Sequence, residues 1–174
     1  TRVRNKLFHR KIDHHRWLDV MRAAHRHGII TNATMLYGHI ETVDEKVQHL
    51  LTLRDLQDET SGFSAFIPLA FHSGHTQLSH LPETTAFDDI KNIVAARLLL
   101  DNVEHIKAYW VMISERLAQV ALAFGADDLD GTIIEEKITH TAGAKSALGL
   151  TKDRMNALIT AAGFQPVQRD AYYQ

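Results

Sequence analysis

The apolar positions change period several times along the chain, and each change marks an element. From Asp13 onward Trp17, Leu18, Met21, Ala24 and His25 recur at helical spacing, and Gly28 follows where a stop belongs, so a helix is expected over about 14–27. Ile29 to Leu36, rich in Ile, Thr and Ala behind a turn residue, reads as a buried strand. Thr42 with Glu45 three residues on spells a capping box, and Val43, Val47, Leu50, Leu51, Leu53 and Leu56 supply the stripe of a helix that Ser61-Gly62 ends.

The alternation then repeats. Phe63 to Phe71 is almost unbroken apolar sequence carrying Pro68, which predicts a strand buried on both faces with proline toward its end. A polar stretch from His72 to Thr85 is long enough to suggest a functional lid. Thr85 and Asp88 open a helix whose Ile90, Ile93, Val94, Leu98 and Leu99 face inward, running to about Asn102. His105 to Val111 is strand-like, Ser114 caps a helix to Phe124 and Gly125, and Asp127 to Gly131 is a short strand. Thr151 to Ala162 is a last helix, stopped by Gly163.

Strand and helix in alternation, with connections of this size, predict parallel βαβ units in an α/β fold. Four such units make half of a (β/α)8 TIM-type barrel, whose full form takes about 250 residues. At 174 residues, 45% hydrophobic and 23% charged, the chain is long enough for one sizeable core, and a single domain over 1–174 is expected. No internal repeat interrupts it.

Composition removes several kinds of chemistry. Cysteine is absent, which excludes disulfides, thiolate zinc, a cysteine nucleophile and a cysteine-ligated iron-sulfur cluster held by this chain. A net charge of −2 does not suit a general nucleic-acid binder, and no apolar run approaches the length of a membrane span, so the expectation is a soluble cytoplasmic protein with neither nucleic acid nor membrane as partner. Residues 1–27 hold eight basic against two acidic side chains, a net of +6. That stretch reads as a solvated helix face, with a patch for an anionic partner as the lesser alternative.

In parallel α/β folds reactive groups gather where strands end at their carboxyl side, because loops and helix N-termini converge there. Those ends carry Thr34, Tyr37, Gly38, His39 and Glu41, then Phe71, His72 and His75, then Tyr109 and Trp110, and finally Asp127, Asp128, Asp130, Gly131, Thr132, Glu135 and Glu136 with His140 beyond. His39-x-Glu41 and His72-x-x-His75 leave a divalent metal site open beside the plainer reading of solvated loop histidines. The acidic run after Gly125 suits a cation, ligand hydroxyls, proton transfer or simply a helix cap. His14, His15, His25 and His27 lie on or beside a helix, where packing or exposure is the expectation.

Five blocks in order, Thr34 to Glu41, Gln57 to Phe63, Ala65 to Pro68, His105 to Trp110 and Gly125 to Thr132, resemble the C-terminal half of the aminofutalosine synthase family of radical S-adenosylmethionine enzymes, and the likeness runs from about Arg2 to Tyr172. Related enzymes, the dehypoxanthine futalosine cyclase and the deazaflavin (FO) synthase subunits, share much of it. The resemblance implies the C-terminal half, strands five to eight, of a (β/α)8 barrel, with the cluster-binding N-terminal half supplied in cis or by a separate chain; the strand edges that an isolated half exposes suggest a homodimer. It also implies S-adenosylmethionine and a 4Fe-4S cluster in the full-length enzyme, a small-molecule substrate, and no activity from this chain alone. A non-catalytic small-molecule or metal-binding domain stays as the alternative.

The superfamily pattern Gly-x-Ile-x-Gly-x-x-Glu falls on Thr34, Leu36, Gly38 and Glu41, implied to lie against S-adenosylmethionine, with Thr and Leu as departures at its first two places. By the same resemblance His39, His72, Trp110, Asp128, Asp130, Thr132, Glu135, Glu136 and His140 are expected to contact substrate, and no residue is assigned to a metal.

Overall fold

In the computed structural model, which describes residues 2–8, 10–131 and 149–174, three parallel strands lie side by side in chain order. They are β1 (Thr31–Tyr37), β2 (Phe63–Ala70) and β3 (His105–Ile106). Helices α1 (Arg2–Leu7) and α2 (His14–Arg26) precede β1. α3 (Val43–Thr60) joins β1 to β2, and α4 (Ala86–Leu99) joins β2 to β3. After β3 come α5 (Trp110–Ile113), α6 (Glu115–Ala121), a 3-10 turn at Leu122–Phe124 and α7 (Lys152–Ala161).

Local chemistry sets where the helices start. Thr42 Oγ1 accepts from Glu45 N at 3.2 Å while Glu45 Oε2 accepts from Thr42 N at 2.9 Å, the box read in the sequence. Thr85 and Asp88 build the same device, with both bonds at 3.2 Å. Thr151 caps α7, and Gly163, at φ +86°, takes the left-handed backbone just past its end.

The strand period then buries one face. Ala33, Met35 and Tyr37 are buried while Asn32 and Thr34 are exposed and Leu36 is half-buried, and the register Met35↔Pro68, Tyr37↔Ala70 sets the buried positions of two strands beside each other. Leu50, Leu53 and Leu56 of α3 and Ile93 and Ala96 of α4 belong to the same core. Pro68 sits in β2 beyond its last partner in β3, Phe66↔Ile106, so its missing N–H removes no bond from that ladder.

Several expectations change. β2 is buried on both faces in its first half, at Phe63, Ala65 and Phe66, while toward its end Ile67 and Leu69 are only half-buried. β1 starts at Thr31, because Gly28 closes α2 in a left-handed turn and Ile29 and Ile30 remain 57% and 53% exposed. The strand expected over His105–Val111 is two residues long, and Trp110–Ile113 is helical: a short apolar run does not separate a buried strand from a buried helix turn. The fourth strand reduces, among the described residues, to one parallel bridge, Lys107↔Asp128, because Asp130 turns the backbone to φ +67° two residues later. The sequence also concealed α1. An α/β fold with a small parallel sheet is therefore what the structure shows. Among the described residues no helix is long and apolar enough to cross a membrane.

Candidate functional site

The turn leaving β1 is built around one carboxylate. Glu41 Oε1 accepts from Gly38 N at 2.6 Å, Oε2 accepts from His39 N at 2.9 Å, and His39 Nδ1 lies 2.7 Å from Oε2. His39 Nδ1 also lies 2.7 Å from Ile40 N. A protonated Nδ1 donates to Glu41 and a bare Nδ1 accepts from Ile40, so the turn finds a partner in either form. Both side chains are nearly inaccessible, 3% and 9% exposed.

Burial pushes the Glu41 carboxyl up, but hydrogen bonds from His39 and from the backbone of Gly38, Glu41 and His39 outweigh it and hold it at about 2. The folded value lies below the ordinary 4.5, so the stability it brings is complete above about pH 4.5 and disappears as pH falls toward 2. Glu41→Gln should flatten that part of an acid-unfolding curve followed by circular dichroism and lower stability at pH 7; an unchanged acid limb would show that Glu41 is not the group being protonated.

A cavity of about 210 Å³ opens beside this turn, lined by Tyr37, Gly38, His39, Glu41, Lys46, Pro82, Glu83, Thr84, Asp88 and Asn92. Behind it lies a buried acid. Tyr37 donates its hydroxyl to Asp89 Oδ1 at 2.9 Å, and Asp89 is 5% exposed. Burial raises the Asp89 carboxyl, with Tyr37, Thr84 and His72 acting in the opposite sense. Tyr37 is in turn pushed far above the usual phenol range by burial and by Asp89. His72, at the carboxyl end of β2, has an Nε2 that is buried and has no hydrogen-bond partner among the described residues.

A second polar cluster closes the end of β3. Lys107, 5% exposed, donates to Asp130 at 2.9 Å and lies 3.8 Å from Asp128, which Arg169 also meets at 2.6 Å. Burial raises the Asp128 carboxyl, but Tyr173, the Asp130 N–H, Lys107 and Arg169 together bring it below the ordinary range. Beside it Asp127 accepts from Arg97 at 2.8 Å and from His105 at 2.6 Å.

Against this geometry stand the comparisons with known proteins. The family described as the CofH/MqnC C-terminal region matches residues 60–174. The chain belongs to that family. Along 99% of its length it is 50% identical to an aminodeoxyfutalosine synthase of Thermus thermophilus, and along 91% it is 41% identical to one of Streptomyces coelicolor. It is 38% identical over 99% to a 5-amino-6-(D-ribitylamino)uracil–L-tyrosine 4-hydroxyphenyl transferase of Methanococcoides burtonii. The chain spans about half the length of these relatives, 48%, 44% and 51%.

In this CofH/MqnC C-terminal chain the expected site residues separate into groups. Gly38, His39 and Glu41 meet in the turn after β1, with the His39 ring edge-on to Phe71 at 6.0 Å, while Thr34 and Leu36 lie within the strand at its exposed and half-buried positions. The space a side chain would take at Gly38 is filled by Thr84, so internal packing accounts for this glycine. Trp110 is fully buried, its indole N–H donating to Gly131 O at 3.3 Å. Asp128 is 8% exposed and already accepts from Arg169, Tyr173 and the backbone of Asp130, whereas Asp130 is 27% exposed. Thr132, Glu135, Glu136 and His140 lie outside the described residues.

Four histidines belong to α2 or its cap. His14, His15 and His25 lie in α2 and His27 caps it, with His25 held between Thr60 and Thr31 hydroxyls at 2.7 and 2.8 Å. Among the described residues no group of three or more His, Cys, Asp or Glu is placed to hold a metal. Sequence reasoning missed Asp89, Lys107, Arg169 and Tyr173. A lysine inside the apolar stretch 105–111 and a second acid directly after the Asp88 cap were the available signals.

Proposed function

We propose that this chain forms the C-terminal part of a radical S-adenosylmethionine enzyme of menaquinone biosynthesis by the futalosine route, which adds the 5′-deoxyadenosyl radical to 3-[(1-carboxyvinyl)oxy]benzoate and, with loss of carbon dioxide, yields aminodeoxyfutalosine. The observation that carries this is the 50% identity along nearly the whole chain to an aminodeoxyfutalosine synthase, against 38% to the hydroxyphenyl transferase. S-adenosylmethionine and a 4Fe-4S cluster supply the radical when bound. The residues present do not fit the cluster, since the chain has no cysteine. Its ligands belong to an N-terminal half, joined in cis or carried by a separate chain.

The work left to these residues is binding and orientation. In this reading Glu41 keeps the turn after β1 rigid, so that the strip of Thr34, Leu36 and Gly38 presents a fixed wall to the nucleoside. His39 supports that turn from within it. His72, whose Nε2 has a hydrogen-bonding capacity left open, receives a substrate carboxylate. Asp130, with Thr132, Glu135, Glu136 and His140, meets hydroxyls.

The test is to express the chain with the N-terminal half of the Thermus relative, rebuild the cluster anaerobically and supply S-adenosylmethionine with the vinyl ether. Aminodeoxyfutalosine in the mass spectrum is expected. Product formed only from tyrosine and 5-amino-6-(D-ribitylamino)uracil would favour the second reading, a deazaflavin synthase subunit, which the 38% identity to the Methanococcoides transferase supports. Turnover of neither pair, with the intact Thermus enzyme active alongside, would refute both.

A further inference from the structure

The last residues of the chain fold back onto the end of β3. Asp170 Oδ1 accepts from Tyr172 N at 2.8 Å and from Gln174 N at 3.0 Å, closing a turn in which Tyr173 takes φ +60°. That turn aims one ring. Tyr173 stacks on His105 with centroids 3.8 Å apart and planes 5° from parallel, and its hydroxyl donates to Asp128 Oδ2 at 2.6 Å. The Arg169 guanidinium lies 4.4 Å from the same ring and gives Nε and Nη2 to Asp128 Oδ2 at 3.0 and 2.6 Å.

Asp128 then passes the constraint on. Its other oxygen, Oδ1, accepts from Asp130 N at 2.6 Å, the bond that accompanies the left-handed backbone of Asp130 at φ +67°. Lys107 holds the Asp130 carboxylate at 2.9 Å. A non-glycine residue keeps that conformation only where its surroundings over-determine it. Within the segment, Asp128 and Asp130 form two like charges two residues apart, and Lys107 alone does not balance them; Arg169 supplies the second cation from about 40 residues along the chain.

We infer that the C-terminal turn is a latch whose Arg169 and Tyr173 are positioning residues, fixing Asp128 and Asp130 and so the course of the backbone through Asp127–Gly131. The latch concerns this segment alone and stands independently of the reaction proposed above. It predicts that the two acids lose their fixed direction when the tail is altered, although nothing in the core is removed.

Amide hydrogen exchange on the chain reads this directly. Ala108 N donates to Asp128 O at 2.8 Å, Asp127 N to Ile106 O at 3.1 Å and Asp130 N to Asp128 Oδ1 at 2.6 Å, so these three amides report on the segment, and amides of the β1–β2 ladder serve as the remote control. Tyr173→Phe keeps the ring stack and removes the hydroxyl; Arg169→Lys keeps the charge and removes the fork. Each is expected to speed exchange at the three reporters about tenfold or more, the effect of one charge-assisted hydrogen bond, with the ladder unchanged. In an Asp128→Asn background the Tyr173→Phe step should add much less, because the shared acceptor charge is gone. Unchanged exchange at the reporters in both single variants overturns the inference. So does a uniform rise across reporters and ladder, which would mark ordinary loss of stability.

Discussion

Replacing Gly38 by alanine is expected to destabilise the chain by about 3 kcal/mol, a large share of the roughly 5–15 kcal/mol that holds a domain folded. Two costs add. At φ +90° an L side chain is strained by about 1–2 kcal/mol, and a Cβ there would sit 2.2 Å from Thr84 Cγ2, an overlap of the kind that costs about 1–3 kcal/mol. The costs separate in a double variant. Thr84→Ser removes Cγ2 but keeps the hydroxyl that bonds Asp89, so Gly38→Ala in that background should recover the overlap cost and retain the strain. Urea midpoints at constant slope measure both. Equal loss in the two backgrounds would mean that Thr84 does not confine this position.

Truncating Trp110 to alanine is the other large effect, expected at about 3–5 kcal/mol because a fully buried indole leaves a cavity that close-packed neighbours refill only in part. Trp110→Phe should cost less, losing volume and the bond to Gly131 O. These losses belong to the chain without any ligand. A Trp110→Ala protein with the parent's urea midpoint would show that the indole is not part of the core. The two variants act at opposite margins of the sheet, Gly38 beyond β1 and Trp110 beyond β3, so their effects on the midpoint should add.

Much of the fold was legible because its signals are local. Thr42 with Glu45 and Thr85 with Asp88 bond within one helical turn, and Gly28 and Gly163 end helices through their own backbone freedom, so neighbours in sequence suffice to place these boundaries. Glu41 belongs to the same class, since its partners are residues 38 and 39. What failed was what depends on distant partners. Val111 and Ile113 are equally apolar in a strand or a helix turn, and Asp128 reads as a free carboxylate until Arg169 and Tyr173 are seen to reach it.

The amino-acid order by itself determined the alternation of strands and helices as far as α4, the caps, the lack of any cysteine to ligate a cluster and the family likeness, because periodicity, composition and motif spacing are properties of a chain before it folds. Only the tertiary structure decided that Trp110 is core, that Thr84 occupies the space Gly38 leaves, that Asp89 is buried behind Tyr37, and that the C-terminal turn holds Asp128. The physical reason is the range of the forces involved. Capping and period act over a few residues, whereas burial and charge pairing depend on which distant segments folding brings within a few ångströms.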